Sequence, residues 1–338
     1  MKYNTSKIIT AVLICFNAIN AVAQKTPLHL LNTFHIASTG GWDYIEVGPV
    51  HDLLYVSHGT QVNVMNKNTG DSVSVIPNTT GVHGIAFDVK DGKGFTSNGR
   101  LNTVTMFDMN SNKVMMQIPA GQNPDAIFYE PYSKKIITCN GRGKNISIID
   151  PVEGRLLDSV DVGGKPETAV SDAAGFIYIN IEDKNEIVQV DVRTLKVMNR
   201  WTLAPAEGPT GLAFDRQTGR LFAGCDKLLV VMDAKNGKIV DKLIIGDGCD
   251  GVAFDPETKY IYTANGEGTV TVIHENAADD YKVVGNFDTK RGARTITLDK
   301  QTHVLYLPTA EFEAMEPGQK GRPKMKPGTF QVLMVATK

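Results

Sequence analysis

The sequence predicts an all-β fold: a seven-bladed β-propeller with four-stranded antiparallel blades. Three observations carry the prediction. The phrase Gly-x-Ala-Phe-Asp recurs as Gly84-Ile85-Ala86-Phe87-Asp88, Gly211-Leu212-Ala213-Phe214-Asp215 and Gly251-Val252-Ala253-Phe254-Asp255. The residue just before that phrase, followed through its weaker copies, is Asp43, His83, Asp125, Glu167, Thr210, Asp250 and Arg294, a series of seven at intervals of 40 to 44 residues. Finally, no stretch sustains the apolar period of a helix, whereas short β-rich runs bounded by turn residues fill the chain.

Each unit reads as four strands in order. The Gly-x-Ala-Phe-Asp phrase is the first, and a polar turn such as Pro256-Glu257-Thr258-Lys259 leads to a second such as Tyr260-Ile261-Tyr262-Thr263-Ala264-Asn265. The third alternates and often ends in Asp, as in Val104 to Asp108, Ile146 to Asp150 and Leu229 to Asp233, and the fourth is typified by Gly237 to Leu243. Such a unit cannot bury both faces alone and must stack on neighbours, which at this length means propeller blades. The last unit has strands near Arg294 to Asp299, His303 to Leu307 and Phe330 to Ala336, then ends one strand short. The unassigned run Leu28 to Ala37 is expected to dock there as the outer strand, hiding an open sheet edge and tying the two ends together. Asp88, Asp215, Asp255 and Asp299 recur at one place in the repeat, and Asp108, Asp150, Asp191 and Asp233 at another. Recurrence in successive units marks them as turn formers.

Before the repeats, Lys2 and Lys7 precede an apolar stretch from Ile8 to Ile19 and then Ala21-Val22-Ala23, the three regions of a secretory signal peptide. Residues 1–23 are therefore expected to be removed after Ala23, leaving one domain over 24–338 that is periplasmic or extracellular. The apolar stretch, interrupted by Asn17, falls short of a membrane span, and no other segment could cross. Loss of two lysines and no acids takes the formal charge from -2 to -4, which argues against nucleic acid or anionic lipid as partner. Cys139, Cys225 and Cys249 are too few and too widely spaced for a disulfide framework or a metal knuckle. The chain is expected to act as a monomer.

The phrases Gly-x-Ala-Phe-Asp, Tyr262-Thr263-Ala264-Asn265-Gly266 and Val270-Thr271-Val272-Ile273 resemble the YVTN repeats of YncE-like and surface-layer-associated propellers. The closing segment, Gly292-Ala293-Arg294-Thr295 through Tyr306-Leu307-Pro308-Thr309-Ala310 to Gly328-Thr329-Phe330, is similar to the final blade of exported bacterial YncE-like proteins. The likeness covers roughly residues 28 to 338 and implies the propeller fold. It says little of activity, because propellers host binding, scaffolding and catalysis alike.

In a propeller, the start of each first strand and the end of each second strand meet near one mouth of the central channel. The first ring is the series Asp43, His83, Asp125, Glu167, Thr210, Asp250 and Arg294; the second is His58, Asn98, Asn140, Asn180, Asp226 and Asn265. A polar, net acidic funnel that binds a ligand follows. Carboxylates at Asp125, Glu167 and Asp250 would suit a hard cation such as Ca²⁺ or Mg²⁺, while His83 and Glu167 are the candidates for acid/base work. Arg294 places positive charge among these acids, or grips a substrate carboxylate. The alternative is that these groups only form turns and a solvated rim.

The clearest departure from the repeat is the insertion 311–328, acidic at Glu311, Glu313 and Glu316 and basic at Lys320, Arg322, Lys324 and Lys326. It reads as a long loop, either a lid over the mouth, a partner site, or an inert excursion. No nucleophile elbow, His-Glu-x-x-His or haem-attachment motif is present. The leading expectation is an exported binding or scaffold propeller holding a small molecule, glycan or protein at the channel mouth. The alternative is a metal-dependent hydrolase or lyase, lactonase-like or streptogramin-lyase-like, working at the same mouth.

Overall fold

In the structure, a computed structural model, residues 26–314 and 323–337 are described; the expected signal segment 1–23 and the middle of the insertion, 315–322, lie outside them. Seven four-stranded antiparallel sheets follow one another around a ring. The innermost strands are Trp42–Val47, Val82–Asp88, Pro124–Glu130, Pro166–Ser171, Leu212–Asp215, Cys249–Phe254 and Thr297–Asp299, for blades 1 to 7 in that order. The fourth, outermost strand of a blade, such as Val114–Pro119, is largely exposed, while the second and third strands lie inside. That layering explains the sequence pattern. A middle strand covered on both faces reads as a continuous apolar run, as in Leu53–His58 and Val304–Thr309, where every residue is buried.

The core lies between blades. Leu53, Tyr55 and Val64 of blade 1 pack on Val82, Ile85 and Phe107 of blade 2. Comparable clusters join each later pair, and Leu54, Val56 and Met65 of blade 1 close the circle against Val304, Tyr306 and Val332 of blade 7. The strand Leu28–His35 supplies the outer edge of blade 7, antiparallel to Gln331–Thr337, with Phe34 opposite Val332. The closure expected from the truncated last repeat is therefore present.

The recurring aspartates do form turns. Asp150 Oδ1 accepts from the backbone N–H of Val152 and of Glu153, and Asp255 Oδ1 from that of Glu257. Several also latch neighbouring blades: Lys67 Nζ of blade 1 lies 2.8 Å from Asp299 of blade 7, Lys259 of blade 6 lies 3.1 Å from Asp215 of blade 5, and His303 Nδ1 of blade 7 lies 2.7 Å from Asp255 of blade 6.

Candidate functional site

The first ring assembles at one mouth because of a local irregularity in the inner strands. In blade 1, Trp42 pairs with His58 but Ile45 pairs with Val56, so the inner strand advances one residue more than its neighbour. The same shift falls between Val82 and Ile85, Pro124 and Ile127, Pro166 and Ala169, and Cys249 and Gly251. Asp43, His83, Asp125, Glu167 and Asp250 all lie within these bulges. A bulge bends the strand and re-aims a side chain, which here brings the five onto the channel axis.

Contacts run along the ring from blade to blade. Arg294 Nε donates to Asp250 Oδ2 over 2.6 Å, and its Nη2 lies 3.5 Å from Asp43 Oδ1. His83 Nδ1 donates to the other oxygen of Asp43 over 2.6 Å and stands 3.7 Å from Asp125 Oδ1. Glu167 is held by Lys165 at 2.6 Å, and Lys165 also bonds Glu182. Thr210 turns aside, its hydroxyl donating to the Cys249 carbonyl over 2.6 Å.

Charge is unbalanced at this mouth, with four ring carboxylates facing Arg294 and Lys165. Burial, then the Asp43 charge, pushes Asp125 up to about 7, against the pull of His83. Burial, then the Asp125 charge, pushes Glu167 upward despite Lys165. The two carboxylates therefore resist being ionised together, as like charges in a poorly solvated site do. Burial lowers the affinity of His83 for a proton, but the Asp43 hydrogen bond and the Asp125 charge outweigh it and leave the imidazole raised. Beneath the ring, burial and the same acids hold the Tyr44 phenol firmly protonated, its hydroxyl 3.3 Å from Thr168 Oγ1.

The second ring is placed differently. Asn98, Asn140, Asn180 and Asn265 are fully buried, as is His58, and apart from Asn180 Oδ1, which has no hydrogen-bond partner among the described residues, their polar atoms are spent inside the protein. Asn140 Nδ2 donates to Asn145 Oδ1 (2.8 Å) and Ser147 Oγ (2.9 Å), while its Oδ1 accepts from Thr138 (2.9 Å). Asn98 repeats the arrangement with Thr103, Thr105 and Thr96, and Asn265 with Thr269, Thr271 and Thr263. Asn180 donates to the Thr210 and Gly211 carbonyls of the next blade. His58 bonds Gly40 O and Ser38 and stacks on Phe330 with ring centres 3.9 Å apart. Of this set only Asp226 opens onto the mouth.

A cavity of about 570 Å³ occupies one side of the mouth, bordered by Asp226, Asp250, Arg294, Trp42, Phe312 and Met325 among others. Its outer wall is the base of the insertion. Lys326 N–H donates to Glu311 O and Glu313 N–H to Lys324 O, each over 2.8 Å, so the two arms pair as a short ladder. Phe312 on that ladder packs against Trp42, ring centres 6.0 Å apart. A second cavity of about 440 Å³ continues down the channel past Tyr44, Glu46, Phe87, Phe128 and Ile296.

Sequence reasoning did not single out Trp42 or Lys165. Each lies beside a ring residue, Trp42 one before Asp43 and Lys165 two before Glu167. Closeness in sequence to a ring residue was the available signal for Lys165; Phe312 comes from a distant segment.

No protein-family model matches the chain, and a search of curated proteins gives no match. Among solved structures the chain is similar to hydrazine synthase of Kuenenia stuttgartiensis, with a TM-score of 0.71 at 14% identity, the match covering 81% of this chain and 94% of that one. At that identity the likeness extends to the fold alone: the chain is a seven-bladed β-propeller.

Proposed function

We propose that this protein is an exported binding propeller of the YncE-like type, taking a small polar ligand in the cavity at the channel mouth. The observation that carries the reading is the composition of that cavity. Its volume, about 570 Å³, falls in the range of small-molecule sites. Aromatic surface from Trp42 and Phe312 meets charged groups at Asp226, Asp250 and Arg294, the mixture that lets a site bury a ligand's apolar face while fixing its polar groups. The signal-like segment supports export, and the repeat phrases support the YncE-like kinship.

The test is a thermal-shift screen followed by calorimetry on the chain from Gln24 onward, with mono- and oligosaccharides, amino acids and dicarboxylates. Binding by one class, weakened at least tenfold in Arg294→Met, is expected. An unshifted melt across the whole panel refutes the small-ligand reading and favours a protein scaffold.

A second reading, a hydrolase or lyase at the same mouth, is favoured by His83 standing between two carboxylates, since a carboxylate-oriented imidazole can move a proton. Turnover of an ester or lactone, lost in His83→Ala, would support it; none in either protein would dismiss it.

A further inference from the structure

We infer that Asp43, His83 and Asp125 form a binding site for one borderline divalent cation, of the Zn²⁺ or Mn²⁺ type. One ligand atom from each, His83 Nδ1 and a carboxylate oxygen of each aspartate, lies within 4.8 Å of the other two. The three come from consecutive blades, so the site belongs to the ring and not to one local turn.

The ligand set points to the metal class. One imidazole nitrogen with two carboxylate oxygens suits Zn²⁺ or Mn²⁺ better than Ca²⁺, which prefers six to eight oxygens. It also differs from the carboxylate group Asp125, Glu167 and Asp250 suggested by residue type, because Lys165 already engages Glu167 and Arg294 engages Asp250.

Asp125 supplies an independent observation. Its side chain is 13% exposed and its one described partner is His83 Nδ1 at 3.7 Å, beyond hydrogen-bond distance. That gap leaves room for a cation, which on binding would replace the proton that His83 Nδ1 shares with Asp43. Two carboxylates also balance a divalent ion.

The surroundings suit ligation as well. Arg294 lies against Asp43 Oδ1 and leaves Oδ2 directed at His83, so it orients the ligand from outside, as groups around metal centres do. Gly99 backs the imidazole so closely that an added Cβ would lie 2.6 Å from His83 Nε2. Its φ is not in the left-handed region, so the space for the ring is the local use of that glycine.

The proposal is independent of the ligand cavity, and its test has a separate readout. The chain from Gln24, stripped with chelator and dialysed, is titrated calorimetrically with ZnCl₂, MnCl₂ and CaCl₂, and its Co²⁺ form is examined by visible absorption. One equivalent of Zn²⁺ or Mn²⁺ is expected, with Ca²⁺ at least tenfold weaker and a Co²⁺ spectrum showing nitrogen ligation. His83→Ala and Asp125→Asn should each weaken binding at least tenfold, whereas Glu182→Gln should leave it unchanged. Wild-type protein that binds no equivalent, a Co²⁺ spectrum without nitrogen ligation, or full affinity in a folded His83→Ala protein each overturns the site. Should His83→Ala fail to fold, the wild-type stoichiometry and Co²⁺ spectrum still decide.

Discussion

Replacing Asn140 by alanine separates a structural role from a binding one. Asn140 ends the second strand of blade 3, Lys135–Asn140, at a position that the repeat places near the mouth. The structure buries it completely and gives its amide three hydrogen bonds, to Asn145, Ser147 and Thr138. With a net value of about 1 kcal/mol for each bond lost, Asn140→Ala should destabilise the protein by about 3 kcal/mol, with some addition for partners left unpaired. In a domain of this size, 1 kcal/mol moves the melting temperature by about 2 °C, so a fall of about 6 °C is expected. The assay is calorimetric melting of wild type and variant, run beside the zinc titration. Metal affinity should be unchanged, because Asn140 faces the third strand of its own blade. A melt within about 1 °C of wild type, accompanied by lost affinity, would refute the reasoning and return Asn140 to the binding surface.

Other predictions follow from the same geometry. Phe34 is 3% exposed where the N-terminal strand closes blade 7, so Phe34→Ala should cost about 3–5 kcal/mol, read as a lower urea midpoint; an unmoved midpoint would mean the closing strand is dispensable. Hydrogen bonds from Lys135 and then the backbone N–H of Glu153 hold the Asp150 carboxyl down at about 2. Its unfolded value is about 4, so its contribution of about 2 kcal/mol is complete above that pH and fades as pH falls toward 2. Asp150→Asn should accordingly be less stable than wild type at pH 7, with the gap narrowing at pH 3; a gap constant with pH would rule out the ionised carboxylate as its source. Gly99→Ala should displace the His83 ring and weaken zinc binding about tenfold while costing about 1–3 kcal/mol of stability, and unaltered zinc affinity would show that the ring position is not critical.

What was legible in the sequence is what repetition makes redundant. Seven copies of one phrase at near-constant spacing report the same local problem solved seven times, and a strand unit that cannot bury its faces alone leaves few architectures besides a ring. The missing last strand and the spare run before the first blade then specified the closure, and the turn aspartates were readable because they recur at the same two places in blade after blade. Ring position also forecast which residues would stand near Asp43.

The tertiary structure alone decided which ring side chains turn toward the channel axis. Asp125 and Asn140 lie at the same end of one blade, yet the bulge between Pro124 and Ile127 turns Asp125 toward the axis, while regular pairing with Asn145 points Asn140 into the sheet. Bulges depend on register with the neighbouring strand, which repeat spacing does not record. The mouth cavity depends further on Trp42 meeting Phe312 across 270 residues of chain. Local sequence determines strands and turns because those interactions are local; the site depends on strand register and on contacts between residues far apart in the chain, and these exist only once the ring has closed.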